Sequence, residues 1–159
     1  HDYITVKEER THIESYLEIQ QFRYQDILDY EIQMDEEIYG YIIPKLTLQP
    51  LVENALYHGI KNKRGKGKIL ITGKKQGDKI IFQVIDNGKG MTEEELNSLR
   101  KKMAGTDTGD EAKGFGVSNV NQRIKYYYGG EYGVFFESKE NEGTNATIII
   151  AAKNIQLLS

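Results

Sequence analysis

Three separated stretches of this 159-residue chain hold residue types that could meet a polyphosphate, a metal ion or a flat base. The first is Gln49-Pro-Leu-Val-Glu-Asn-Ala-Leu-Tyr-His-Gly59, where Glu53, Asn54 and His58 interrupt an apolar helical pattern. A carboxylate and an amide withdrawn from water must be paired, and a hard cation shared with phosphate oxygens would be such a partner. Hydrogen bonds to neighbouring loops would satisfy the same groups, so this segment alone leaves both readings open. The second is Asp86-Asn-Gly-Lys-Gly90 at the end of a strand pattern. Its carboxylate could accept from an exocyclic amine while Gly88 and Gly90 let the backbone approach a ring, although alone the motif reads first as an ordinary turn. The third is Gly114-Phe-Gly-Val-Ser-Asn119, where glycines lead directly into a helix. Backbone amides at a helix start suit a phosphate chain. It is not the dinucleotide fingerprint, because Asn119 occupies the place of the third glycine and no strand immediately precedes it.

The elements that must position these residues follow from periodicity. Val6, Ile13, Leu17, Tyr24 and Ile27 recur near helical spacing among charged residues, predicting one long amphipathic helix from Val6 to Leu28. Tyr30, Ile32 and Met34 alternate with polar residues as a half-buried strand does. Pro44 suits a first helical turn, with Leu46 to Leu56 behind it as a buried helix ending near Gly59. Runs 68–75 and 79–86 form a hairpin about Gly77, and Thr92 with Glu95 makes a capping box for a helix towards Met103. Residues 104–113 are small and polar without periodicity and are expected to be mobile. A helix from about Gly116 to Tyr128 and strands 131–139 and 144–152 complete the chain. The order predicts an α+β two-layer sandwich, a mixed and mostly antiparallel sheet covered on one face by helices, with an N-terminal helix.

Composition narrows the classes. A net charge of -3 with dispersed lysines leaves no electrostatic footprint for nucleic acid, and the basic loop 61–68 reads as a solvated loop. There are no cysteines, so disulfides and thiolate ligands are excluded. No apolar run reaches the ~20 residues that cross a bilayer. The tyrosines, including Tyr126, Tyr127 and Tyr128, read as core and interface.

Taken in order, an asparagine-bearing buried helix, a strand-terminal Asp-x-Gly-x-Gly, a glycine-rich stretch, Gly-x-Gly and a Gly-Thr-x-Ala-Thr strand resemble the Bergerat ATP-binding fold. Gyrase, Hsp90, histidine kinases and MutL share that fold. The segments Gln49 to Gly59 and Gly114 to Arg123, with Glu14 to Arg23 upstream, resemble the LytS/YesM-like family of bacterial sensor kinases. The resemblance implies ATP and Mg2+ as ligands, with Asn54 on the metal and Glu53 and His58 beside the triphosphate. It implies that Asp86 receives the adenine amine and that Gly88 and Gly90 make room for the ring. Gly114, Gly116 and Val117 would contact phosphates, and Thr147 would support the adenine pocket. Asn119 and Arg123 read equally as nucleotide contacts or as a cap and a solvated charge. Pro50 stands where gyrase-like and Hsp90-like ATPases carry a water-activating glutamate, and proline cannot be a general base. That departure favours phosphoryl transfer to a histidine over hydrolysis. A GHKL-type ATPase, or an ATP-gated regulator such as an anti-sigma factor, is the alternative.

The Pro-His-Phe acceptor segment of that family does not occur in this sequence, and His1 and His12 read as solvated or terminal. Residues 1–28 are accordingly expected to be a helical linker from a dimerisation and phosphoacceptor region, and 29–155 the catalytic domain. The family further implies a homodimer at full length, a response regulator partner, and a cytoplasmic position beneath a membrane anchor.

Overall fold

The computed structural model describes residues 3–61, 65–105 and 115–154. A short strand β1 (Tyr3–Thr5) leads into helix α1 (Val6–Arg23). Thr5 caps α1 by accepting from Glu8 N at 3.1 Å while its own N–H donates to Glu8 Oε1 at 3.0 Å. The helix stops at Arg23, short of the expected Leu28, because Leu28 already opens strand β2 (Leu28–Met34). Periodicity alone missed this, since Tyr24 and Leu28 fit a helical face and a strand start equally well.

Strand β3 (Ile42–Pro44) pairs antiparallel with β1, so Pro44 ends a strand and does not begin a helix. Pro50 takes the first-turn place instead, in helix α2 (Gln49–Asn54), which widens into a π-helical turn over Ala55–Ile60. Strands β4 (Gly67–Gln76) and β5 (Lys79–Asp86) form the expected hairpin, and α3 (Glu93–Met103) starts on the capping box of Thr92 and Glu95. Helix α4 (Phe115–Tyr128) then precedes strands β6 (Gly133–Lys139) and β7 (Gly143–Ala151). The stretch expected to be mobile lies outside the described residues from 106 onward.

Among the described residues the main sheet has five strands, in the order β2-β4-β5-β7-β6. Only β2 and β4 run parallel, which is the mixed, mostly antiparallel sheet expected. Alternation sets its two faces. In β5, Ile80, Phe82, Val84 and Asp86 are buried while Lys79, Ile81, Gln83 and Ile85 are half-buried on the opposite face. Leu51, Val52 and Leu56 of the α2 segment, Val120 and Ile124 of α4, and Val6, Ile13 and Leu17 of α1 belong to the same buried core. The N-terminal helix is therefore packed into this core and not held apart from it.

Polar side chains fasten the helices. Asn121 donates to Met103 O at 3.0 Å and accepts from Val134 N at 2.8 Å, joining α4 to the end of α3 and to β6. Arg100 of α3 donates to Phe136 O at 2.7 Å. On α1, the carboxylate of Glu9 is fully buried and accepts from Thr47 N and Leu48 N, each at 2.9 Å. Burial raises the Glu9 pKa above its ordinary 4.5 and outweighs the two amide bonds, which favour the charged form. A raised folded-state pKa means the group's contribution to stability is complete below its unfolded value and is lost as pH rises through the folded value. Comparison of thermal midpoints should thus show the parent chain losing ground to Glu9→Gln as pH rises from about 4 upward, the amide having no proton to lose.

Candidate functional site

A cleft of about 460 Å³ lies between the π-helical turn and α3. Asn54, His58 and Gly59 form one wall, Asp86 and Thr144 lie at the strand ends, and Glu94, Glu95, Ser98, Leu99 and Lys102 of α3 form the facing wall. Lys89, Gly90 and Met91 complete the lining.

Local structure explains the convergence. Lys61 N donates to Leu56 O at 2.9 Å, five residues back, so the turn after Asn54 is wider than an α-helical one. This turn carries His58 on the same wall as Asn54 and brings the Gly59 backbone beside Asp86. A Cβ on Gly59 would lie 2.7 Å from Asp86 Oδ1, closer than real side chains approach, so only glycine leaves the carboxylate its place.

Asp86 closes β5 on the helix-covered face, and Gly88 N donates to its Oδ1 at 2.8 Å. Asn87 ties the turn to β4, its Oδ1 accepting from Lys68 N at 2.7 Å. Lys89 N donates to Gly59 O at 3.3 Å and Asn141 N donates to Lys89 O at 2.6 Å, fastening the turn to the π-helical segment and to the β6–β7 hairpin. Gly90 has φ 66, and a Cβ there would run into Lys139 O, so this glycine is demanded by the backbone on both counts. The Asp-Asn-Gly-Lys-Gly motif is thus a rigid ledge that presents a carboxylate, more than an ordinary turn requires.

The chemistry available is that of an anionic ligand with a polar flat end. His58, Lys89 and Lys102 give nitrogen groups for phosphate oxygens, Asn54 gives an amide, and Asp86 gives an acceptor for an amine. Thr144 stands opposite Asp86 in the β5–β7 register, with Ser138 Oγ 2.7 Å from its hydroxyl.

Of the site residues expected from sequence, Asn54, His58, Asp86 and Gly90 line this cleft. Glu53 does not; it accepts from Gln49 Nε2 at 3.3 Å, consistent with its position 100° round the helix from Asn54. Gly88 lies behind the ledge, where a Cβ would strike the Gly59 backbone. Among the described residues Gly116, Val117 and Asn119 do not line the cleft: Val117 is buried in the core, and Gly116 and Asn119 are exposed. Gly114 lies outside the described residues. Thr147 is registered with Gln83 on the opposite sheet face, an odd number of residues from Thr144, so it cannot reach Asp86. The cleft threonine is Thr144. The buried phase of Ala146, Ile148 and Ile150 would have located it from sequence. Gly59, Lys89 and Lys102 were likewise missed, Gly59 having read only as a helix end.

Residues 44–154 match the family model described as histidine kinase-, DNA gyrase B- and HSP90-like ATPase. The chain belongs to this family. Membership implies that the domain binds ATP. Sensor histidine kinase YesM of Bacillus subtilis is 34% identical over 153 residues, covering 96% of this chain and 25% of the relative. Sensor protein LytS of Bacillus anthracis is 31% identical over 150 residues, covering 94% of this chain and 25% of the relative. The chain therefore spans about a quarter of the length of these relatives. The solved histidine kinase ThkA in complex with response regulator protein TrrA has the same fold at a TM-score of 0.67, with 20% identity, covering 95% of this chain and 41% of that one. Among the described residues no helix is long and apolar enough to cross a membrane.

Proposed function

We propose that the chain is the ATP-binding catalytic domain of a two-component sensor histidine kinase, passing the γ-phosphoryl of Mg-ATP to a histidine in a dimerisation region outside this sequence. The observation that carries the reading is the meeting of Asn54 and Asp86 in one cleft. Asp86 takes the adenine amine beside Thr144, and Asn54 takes the metal-bearing triphosphate end. Among the described residues no group of three His, Cys, Asp or Glu could hold a metal ion, so a cation here depends on phosphate and water for most of its ligands. That fits magnesium, which accepts one protein oxygen and keeps its waters. When bound, the metal would neutralise charge on the phosphates. Asn54 supplies the amide oxygen, His58 and Lys89 contact phosphate, and the Gly59–Gly90 ledge fixes the base.

Transfer is favoured over hydrolysis because Pro50, in the first turn of α2, offers no base to activate water. Residues 1–28 would connect to the acceptor region, with 29–155 as the catalytic unit. The full-length protein would be a homodimer and would have a response regulator as partner; the solved structure of the kinase ThkA holds such a regulator, TrrA. As part of a sensor, the domain would lie in the cytoplasm beneath a membrane anchor.

Incubation of the chain with labelled Mg-ATP and its separately produced upstream region should yield phosphohistidine, with phosphate release much slower. Steady release without phosphohistidine would instead assign an ATPase. Asn54→Ala should abolish the magnesium dependence of ATP affinity; titration with and without the metal that still shows that dependence would remove the metal role.

A further inference from the structure

Among the described residues, Glu9 is the buried charged side chain that the proposed reaction does not use. It sits on α1, away from the cleft, yet both of its resolved bonds end on the first residues of the segment that carries Asn54. Its Oε2 accepts from Thr47 N and Leu48 N at 2.9 Å each. Leu48 in turn is the N-cap of α2, its carbonyl accepting from Leu51 N and Val52 N at 3.0 Å each. Leu48 has no side-chain oxygen to cap the helix itself, so a carboxylate from α1 does that work from outside.

The same loop is gripped from a second side. Arg123 of α4 donates to Leu46 O at 2.9 Å, adjacent to the two amides held by Glu9. Leu46 has φ 60, a left-handed backbone in a residue other than glycine, although its side chain is 53% exposed and gains little from packing. Such strain persists only where surrounding contacts impose it. The contacts that impose it are these, since the conformation turns one carbonyl to Arg123 and the next two N–H groups to Glu9. Helices α1, α2 and α4 therefore share one rigid junction at residues 46–48.

We propose that Glu9 is a positioning residue of the nucleotide site, coupling the orientation of α1 to the placement of Asn54 through the backbone of Thr47 and Leu48. The inference rests on the reading of Asn54 as the metal-side ligand. Coupling of this kind is reciprocal, so bound Mg-ATP must also steady the junction.

The test compares Mg-ATP and adenosine affinities of the parent chain with those of Glu9→Ala, Glu9→Gln and Ile13→Val. Ile13 is buried on the same helix one turn further on and serves as a control for loss of packing. Glu9→Ala should weaken Mg-ATP about tenfold while leaving adenosine, held at the Asp86 end, within about twofold. Glu9→Gln, whose amide oxygen still accepts both N–H groups, should restore most of the loss. Ile13→Val should lower the thermal midpoint without moving either affinity. Equal loss of adenosine and Mg-ATP affinity, an unrescued Glu9→Gln, or the same loss in Ile13→Val would each overturn the proposal. Should Glu9→Ala fail to fold, hydrogen exchange of the Thr47 and Leu48 amides in the parent chain decides: Mg-ATP should slow both, and unchanged rates reject the coupling. An Asn54→Ala variant that keeps its magnesium dependence removes the metal role of Asn54 on which this inference rests; loss of that dependence in Asn54→Ala with a silent Glu9→Ala sinks only this inference.

Discussion

Asp86→Asn is expected to weaken ATP binding by about ten- to hundredfold while leaving the fold in place. The carboxylate oxygen that receives Gly88 N at 2.8 Å has a counterpart in the asparagine amide, so the ledge can persist. What changes is the group facing the base. An amine donor meeting a carboxylate makes a charge-assisted bond, whereas the asparagine offers either a neutral oxygen or a second donor set against the first. A hydrogen bond to a charged partner contributes about 1.5–3 kcal/mol, which is the fold-change given. Isothermal titration of ATP and of adenosine should show the same loss, because the defect lies at the base and not at the phosphates. Unchanged ATP affinity would remove Asp86 from the adenine pocket.

Gly59→Ala should be at least as damaging, by a different route. The added Cβ would sit 2.7 Å from Asp86 Oδ1 and 2.9 Å from its Cγ, so the carboxylate must swing aside. The obstruction is the end of a side chain and not backbone, so the variant should fold, losing about 1–3 kcal/mol of stability as crowded sites do. Nucleotide binding should fall by about a hundredfold or more, since both the carboxylate and the adjoining Lys89–Gly59 contact are displaced. Chemical denaturation beside titration separates the two effects. Loss of affinity no greater than the loss of stability can explain would show that the close approach of Gly59 does not serve the ligand.

The elements and the residues of the site were not equally legible. Alternation and turn residues located β4, β5, β6 and β7 to within a residue or two, because strand phase and hairpin glycines are local properties. The α3 start was readable for the same reason, Thr92 and Glu95 being three residues apart. Pro44 was misplaced because the antiparallel partner that draws it into β3 is Tyr3, some forty residues away. Asn54 and Asp86 stood out as polar residues at positions the pattern reserves for core or strand end. Thr147 was chosen over Thr144 by motif and not by phase, and a shift of three residues reverses the sheet face. Gly59 could not be recognised, since its role depends on a side chain twenty-seven positions on and on a π-helical turn that no spacing rule announces. The Glu9 junction was hidden in the same way: among the charges of α1, nothing in the sequence marks the one that faces inward.

The bonds that fasten α3 and α4 to β6 also govern how this molecule meets others. Strand β6 ends the sheet on one side, and a terminal strand normally offers bare amides and carbonyls on which a foreign strand can template. Here the Val134 amide is occupied by Asn121 and the Phe136 carbonyl by Arg100, so two successive rungs of that ladder are already taken. A strand from a neighbouring subunit laid along this margin would have to displace both bonds before it could pair there and extend one sheet into the next.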